Sequence, residues 1–218
     1  MTAEAARFEV SRRIDNEAQT DALGAELALF VKAGDWIGLG GDLGAGKTTL
    51  ARALIRALDE AGRVADVPSP TFTLVQLYNE LPVPVCHVDL YRLEDIAEFD
   101  ELGLEEFSDT HLSLVEWPGR LGDALPHDRL MIDLTTAGDG RNVTLTGFGQ
   151  MAVRLERMEF ARELIAASAF AGAARSRFHG DASSRRYEKL VLADGRSCLL
   201  MDMPDVPDGP PVRDGKPY

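Results

Sequence analysis

Eight consecutive residues, Gly41-Asp42-Leu43-Gly44-Ala45-Gly46-Lys47-Thr48, constrain this chain more than any other feature. They match G-x-x-x-x-G-K-[ST] at every fixed position. The setting is right as well: Trp36 to Gly40 reads as a short apolar strand, and Lys47 to about Ala61 as a helix closed by Gly62. Glycines let successive backbone N–H groups turn inward around a polyphosphate, and the helix N-terminus adds its partial positive charge. Lys47 is then within reach of the β- and γ-phosphates, and the Thr48 hydroxyl can ligate Mg²⁺. The expected ligands are ATP and Mg²⁺, with Gly41, Leu43, Gly44, Ala45, Gly46, Lys47, Thr48 and Thr49 forming the cradle. A chance glycine-rich turn would not be expected to sit between a strand and a helix.

Such a loop needs a carboxylate elsewhere to hold the metal or its water. Two strand-end acids compete. Asp89 closes Val85-Cys86-His87-Val88-Asp89, and Glu116 closes Leu112-Ser113-Leu114-Val115-Glu116. Ligands of open α/β sheets sit at the carboxyl ends of strands, so either acid qualifies. His87 is expected on the opposite face from Asp89, as a packing residue or a local hydrogen-bonding group and not as a catalytic base. Trp117 is expected as a core anchor rather than a lid over the nucleotide.

The rest of the chain sorts around this centre. Residues 16–33 read as an amphipathic helix, with Leu23, Leu27, Phe30 and Val31 at helical spacing and Gly34 as its C-cap. Thr71 to Leu77 is rich in β-formers, and Val83 to Asp89 and Leu112 to Glu116 are short apolar runs. Between these two runs, Glu94 to Asp109 holds eight acids and no base, which reads as a solvated helix face. Leu130 to Leu134 and Asn142 to Thr146 look like closing strands about Gly138-Asp139-Gly140. The expected class is α/β, a P-loop NTPase sheet with flanking helices over residues 8–150. A small α+β fragment follows over 151–218. It comprises a helix over Met151 to Phe170, a hairpin of Tyr187 to Leu192 with Ser197 to Met203, and a proline-rich loop from Pro204 to Tyr218.

Charge separates the same two parts. Residues 1–150 carry 12 Lys/Arg against 26 Asp/Glu, a net of −14, whereas residues 151–218 carry 11 against 10, a net of +1. An acidic first part is ill suited to gripping a phosphate backbone unaided, so any nucleic acid is expected to be held by another protein. No apolar run approaches the roughly 20 residues of a membrane-spanning helix, and residues 1–13 lack the apolar core of a signal peptide. Two cysteines, Cys86 and Cys198, stand without metal-ligand spacing, so a reducing cytoplasm is the expected compartment.

Four motifs occur in order: the glycine loop through Thr49, Ser69-Pro70-Thr71-Phe72-Thr73-Leu74-Val75, His87-Val88-Asp89-Leu90-Tyr91-Arg92, and Val115-Glu116-Trp117-Pro118. Together they resemble the TsaE (YjeE) family of bacterial P-loop ATPases over roughly residues 8–148. The resemblance implies the ATPase of the tRNA threonylcarbamoyladenosine machinery, working with a TsaB–TsaD pair that carries out the transfer. It implies docking on that pair when ATP is bound, a reset of the complex by hydrolysis, and contact with tRNA only through the partners. By motif, it implies that Lys47 and the loop amides hold phosphates and that Thr48 and Glu116 hold Mg²⁺. Asp89 then acts near the attacking water, and Ser69 to Phe72 form a switch-like loop with Thr71 near the γ-phosphate. It further implies that Thr20 approaches the adenine and that Arg141 reaches the nucleotide.

The tail departs from that family. Gly180 to Tyr187 and Leu199 to Pro204 resemble the start of an aminoglycoside-phosphotransferase-like kinase, most nearly the amino-sugar kinases of cell-wall recycling. His179-Gly180-Asp181 is not read as catalytic, since Arg186 stands at the asparagine position of the H-x-D-x-x-x-x-N pattern. No kinase activity is expected of this fragment, which is read as the start of a kinase-like lobe fused to the ATPase. Two other functions remain open on the residues alone: a complete P-loop small-molecule kinase, and a nucleotide-gated binding module with negligible turnover. The acidic Glu94 to Asp109 segment opposes an anionic kinase acceptor.

Overall fold

The computed structural model describes residues 6–64, 66–93, 96–178 and 186–203. Contacts divide the chain into two units, the first running to Glu159 and the second from Phe160 onward. Residues 179–185, part of the segment on which the kinase resemblance rests, and the proline-rich segment at 204–218 lie outside the described residues.

In the first unit a mixed sheet has the order β1-β7-β6-β2-β5-β4-β3. These strands are β1 Arg7–Ile14, β2 Trp36–Gly40, β3 Val75–Tyr78, β4 Val85–Asp89, β5 Leu112–Glu116, β6 Arg129–Ala137 and β7 Gly140–Phe148. The four middle strands are parallel, and β3, β7 and β1 add antiparallel edges. Strands β2, β4 and β5 are covered on both faces and read as largely apolar runs, whereas β6 alternates, with Leu130, Ile132 and Leu134 buried and Asp133 and Thr135 exposed.

Strand periodicity sorts the residues by face. Ile37, Leu39, Val85, Leu112 and Leu114 join a core with helices α1 (Glu17–Phe30) and α2 (Lys47–Leu58). Trp36, Cys86, Val88, Leu90 and Val115 form a second core, joined by Leu104 and Phe107 of a short 3₁₀ turn and Phe99 of helix α3 (Ile96–Glu101). Burial pushes the Cys86 thiol up to about 11, so it is a packing group and not a nucleophile. Helix α1 lies tight on α2: a Cβ on Gly24 would come within 2.6 Å of the Ala53 backbone.

Several elements end where side chains, not glycines, dictate. Helix α1 stops at Phe30, short of the expected Gly34, because the Asp35 carboxylate accepts the Lys32 N–H at 2.9 Å and closes the turn. Helix α2 ends at Leu58 and not Ala61, since the Asp59 carboxylate accepts the Val64 N–H at 2.6 Å. Strand β3 begins at Val75 rather than Thr71. The residues before it form a turn in which Leu74 has φ 61° and donates its N–H to the Pro70 carbonyl. The acidic segment folds as α3 and the 3₁₀ turn Leu104–Phe107.

The first unit runs past the expected boundary at 150. Helix α4 spans Gln150–Ala166, and its Met151, Leu155 and Met158 belong to the first core. The Arg154 guanidinium donates to both Asp35 carboxylate oxygens, at 2.6 and 2.8 Å, and to the Phe30 carbonyl at 2.6 Å. Arg12 of β1 binds Glu26 of α1 and Glu159 of α4. Burial disfavours the Arg12 charge, and these carboxylates outweigh it, leaving its pKa raised. The second unit carries a three-stranded antiparallel sheet of β8 (Ala174–Phe178), β9 (Arg186–Val191) and β10 (Ser197–Asp202). The hairpin β9–β10 matches the sequence expectation and β8 is an addition, its Arg175 paired with Glu188.

Candidate nucleotide-binding site

The sheet register assembles the site. Leu39, next to the end of β2, lies opposite Glu116, and Glu116 lies opposite Asp89, so the three strand ends meet at one edge. Beyond Gly40 the chain turns through Gly41 at φ 126°, Gly44 at φ 77° and Gly46 at φ 104°. At Gly41 a Cβ would collide with the Leu134 carbonyl as well as strain the backbone, so no other residue fits there. Gly46 is the N-cap of α2 and offers no side-chain cap, which leaves the first-turn N–H groups of the helix to an outside acceptor. Leu43, at the loop tip, is exposed, whereas Ala45 is buried.

Lys47 is buried, and its ammonium donates to the carbonyls of Gly41 at 2.7 Å and Asp42 at 2.8 Å. It also lies 3.6 Å from the centre of the Trp117 ring. Burial lowers its pKa below the ordinary lysine value, opposed by the charges of Glu116, Asp89 and Asp42. Trp117 is therefore more than the core anchor expected. It packs partly on the second core but holds a left-handed backbone, φ 61°, that lays its ring against the loop lysine.

The two strand-end acids are occupied differently. The Thr48 hydroxyl is 2.9 Å from each Glu116 oxygen, and His87 Nε2 is 3.0 Å from Oε1. Asp89 instead holds the loop before β3: Oδ2 accepts from Thr71 at 2.6 Å and Ser69 at 3.1 Å, and Oδ1 accepts the Tyr91 N–H at 2.9 Å. His87 corrects the expectation that it points away from Asp89. The two are two positions apart on β4, so they share a face, and that face is the site.

Other expected residues are placed less directly. Arg141 donates from Nε to the Ala45 carbonyl and stands beside Gly46, so it braces the loop from β7. The Thr20 hydroxyl turns back to the Asn16 carbonyl of its own helix at 3.4 Å; among the described residues no bond joins it to the loop. Thr49 follows Thr48 on α2 and is partly buried.

The site suits a polyphosphate and a hard cation. Uncapped amides and an ammonium face the loop, and a hydroxyl and a buried carboxylate supply oxygen donors. Among the described residues no three His, Cys, Asp or Glu side chains converge as a ready metal cage. Magnesium held by one or two carboxylates together with substrate phosphates needs none.

A glycine loop between a parallel strand and a helix, with its lysine, threonine and neighbouring carboxylate in register, defines the class of P-loop nucleotide-binding proteins. Within that class, the family model for "Threonylcarbamoyl adenosine biosynthesis protein TsaE" matches residues 14–143, and the chain belongs to the TsaE family. It is 42% identical over 139 residues to the tRNA threonylcarbamoyladenosine biosynthesis protein TsaE of Bacillus subtilis, covering 63% of this chain and 85% of that one. The TsaE protein of Streptomyces coelicolor is 38% identical over 136 residues, 59% of this chain and 90% of the relative. The crystal structure of Bacillus subtilis YdiB superposes with a TM-score of 0.60 at 34% identity, covering 71% of this chain and 97% of that chain. No helix among the described residues is long and apolar enough to cross a membrane.

Proposed function

We propose that this chain is the ATP-binding and hydrolysing subunit of the tRNA N6-threonylcarbamoyladenosine modification complex, acting in the cytoplasm on a TsaB–TsaD transferase pair that it resets by hydrolysis. The observation that carries the reading is the Thr48–Glu116 pair beside an uncapped glycine loop, in a chain of the TsaE family. In this reading Lys47 leaves the Gly41 and Asp42 carbonyls for the β- and γ-phosphates, while the amides of the loop through Thr49 hold the remaining oxygens. Thr48 donates its one proton to Glu116, which leaves the hydroxyl lone pairs for a cation. Mg²⁺, when bound, neutralises charge on the transferring phosphoryl group. Asp89 anchors the Ser69–Thr71 loop and orders the polar network about the attacking water. Arg141 steadies the loop beside the nucleotide, and Thr20 approaches the adenine. tRNA is held by the partners, in keeping with the net charge of −14 over residues 1–150.

Residues 151–218 are proposed as a linker helix leading into the start of an aminoglycoside-phosphotransferase-like lobe without kinase activity of its own. The antiparallel sheet β8–β9–β10 supports this, although the first half of α4 packs with the ATPase unit.

The division of labour between the acids gives a test. Asp89 is already committed to three donors of the loop before β3 and its own strand end, whereas Glu116 meets Thr48 and His87 at Oε1 and the Thr48 hydroxyl at Oε2. Phosphate release from ATP, titrated with Mg²⁺ in the presence of the partner pair, is expected to shift to higher Mg²⁺ in Glu116→Gln. In Asp89→Asn the maximal rate should fall with less change in the Mg²⁺ midpoint. A larger midpoint shift in Asp89→Asn would reverse the assignment, and no phosphate release by the wild type would overturn the ATPase reading.

A further inference from the structure

His87 is fully buried inside the sheet, with β3 on one side of its strand and β5 on the other. Its Nε2 meets Glu116 Oε1 at 3.0 Å, and its Nδ1 is a buried atom without a hydrogen-bond partner. A carboxylate only accepts, so the network assigns the proton to Nε2. The ring is then a donor aimed at one oxygen of one carboxylate. A residue kept only for packing would not be expected to carry a buried polar nitrogen without a partner, because an apolar side chain of the same shape avoids that cost.

The Glu116 side chain is long, and its carboxylate is free to rotate about several bonds unless something holds it. Two side chains do, from different elements. Thr48 reaches it from the start of α2, and His87 from the adjacent strand β4. Only the first lies on the element that carries the glycine loop. The second belongs to the sheet, and it fixes Oε1 whatever the loop and its hydroxyl do.

We propose that His87 is a positioning residue which, through the hydrogen bond from Nε2, holds Glu116 in the orientation that receives a divalent cation, and so sets the cation affinity of the nucleotide site. The proposal rests on the reading of Glu116 as the metal-side carboxylate. Outer donors that orient a ligand in this way commonly govern 10- to 100-fold of metal affinity, roughly the size of effect expected here.

The test uses the full chain, saturating AMP-PNP and a Mg²⁺ titration followed by calorimetry, with each variant's AMP-PNP affinity in EDTA as its own reference. H87L removes the donor while keeping bulk, and H87Q keeps an amide nitrogen near the position of Nε2. H87L is expected to raise the Mg²⁺ midpoint about 10- to 100-fold, H87Q to restore it to within a few-fold of the wild type, and E116Q to raise it at least as far as H87L. If H87L does not fold, H87N takes its place: its amide is one methylene short of Glu116, and it is expected to shift in the same way. The double variant H87L/E116Q should match E116Q alone, because His87 acts through Glu116. A wild-type midpoint in the donor-free variant beside a shifted E116Q would overturn the role of His87 and leave the Glu116 reading standing. A wild-type midpoint in E116Q would overturn that reading and the proposal with it. Failure of H87Q to rescue, or additive shifts in the double variant, would overturn the hydrogen-bond mechanism.

Discussion

Lys47→Ala is expected to abolish ATP-dependent function, with ATP turnover falling by about 10²- to 10³-fold. The ammonium is buried, surrounded by two loop carbonyls, the Trp117 ring and the charges of Glu116, Asp89 and Asp42. A cation held there in low dielectric interacts with phosphate oxygens far more strongly than one in water. The alanine variant should still fold, because its neighbours are backbone carbonyls able to take water and an aromatic face that keeps its other contacts. Tryptophan fluorescence adds a second readout. On the proposed function the lysine exchanges the Trp117 ring for phosphate, so ATP is expected to change the emission of the wild type and not that of Lys47→Ala. Turnover and ATP affinity equal to the wild type would remove the P-loop from the account.

Arg154→Met is expected to destabilise the first unit by about 3 to 5 kcal/mol, the usual cost of stripping one partner from a buried ion pair. The Asp35 side chain is only 5% exposed and, among the described residues, would keep its charge beside the Lys32 N–H alone. The Phe30 carbonyl would lose the Arg154 hydrogen bond, and the guanidinium now packed over the Phe30 ring would be gone. Replacing both members, as Asp35→Leu with Arg154→Met, should recover part of the loss, because an apolar pair leaves no orphaned charge. Urea unfolding of the three variants measures this, and a single-variant loss below about 0.5 kcal/mol would contradict it. The same geometry bears on truncation: ending the chain after Gln150 removes Arg154 together with Met151, Leu155 and Met158 from the core. A cut beyond Glu159 spares them.

The sequence is legible where local chemistry and global packing agree. Strand β2 is apolar throughout and β5 nearly so up to Glu116, because both are buried on two faces, and both end where expected. The glycine loop is readable because each glycine answers a backbone requirement. Strand β1 is not readable in that way. Phe8, Val10 and Ile14 alternate, but the inward position between them is Arg12, whose charge is met by Glu26 and Glu159, residues distant in sequence. Strand β8 hides for the same reason, with Arg175 turned toward Glu188. The end of α4's contribution to the first unit is equally non-local, since nothing near Arg154 in sequence points to Asp35. Of the site, Lys47, Thr48, Glu116 and Asp89 follow from motif and strand ends. The histidine beside Glu116 was available from period-two spacing, since His87 and Asp89 must share a face of β4. The ring of Trp117 over Lys47 depends on a left-handed residue that sequence spacing does not reveal.

The most direct test of the account is recovery of partners on the immobilised full chain, in Mg²⁺-ATP and in Mg²⁺-ADP, from an extract of the organism that encodes it, read by mass spectrometry. The TsaB–TsaD pair is expected to be retained with ATP, to be released with ADP, and to be absent in both for Lys47→Ala. Equal recovery of the pair in the two nucleotides, or its absence from both with the wild type, would contradict a nucleotide-gated subunit of the threonylcarbamoyladenosine complex.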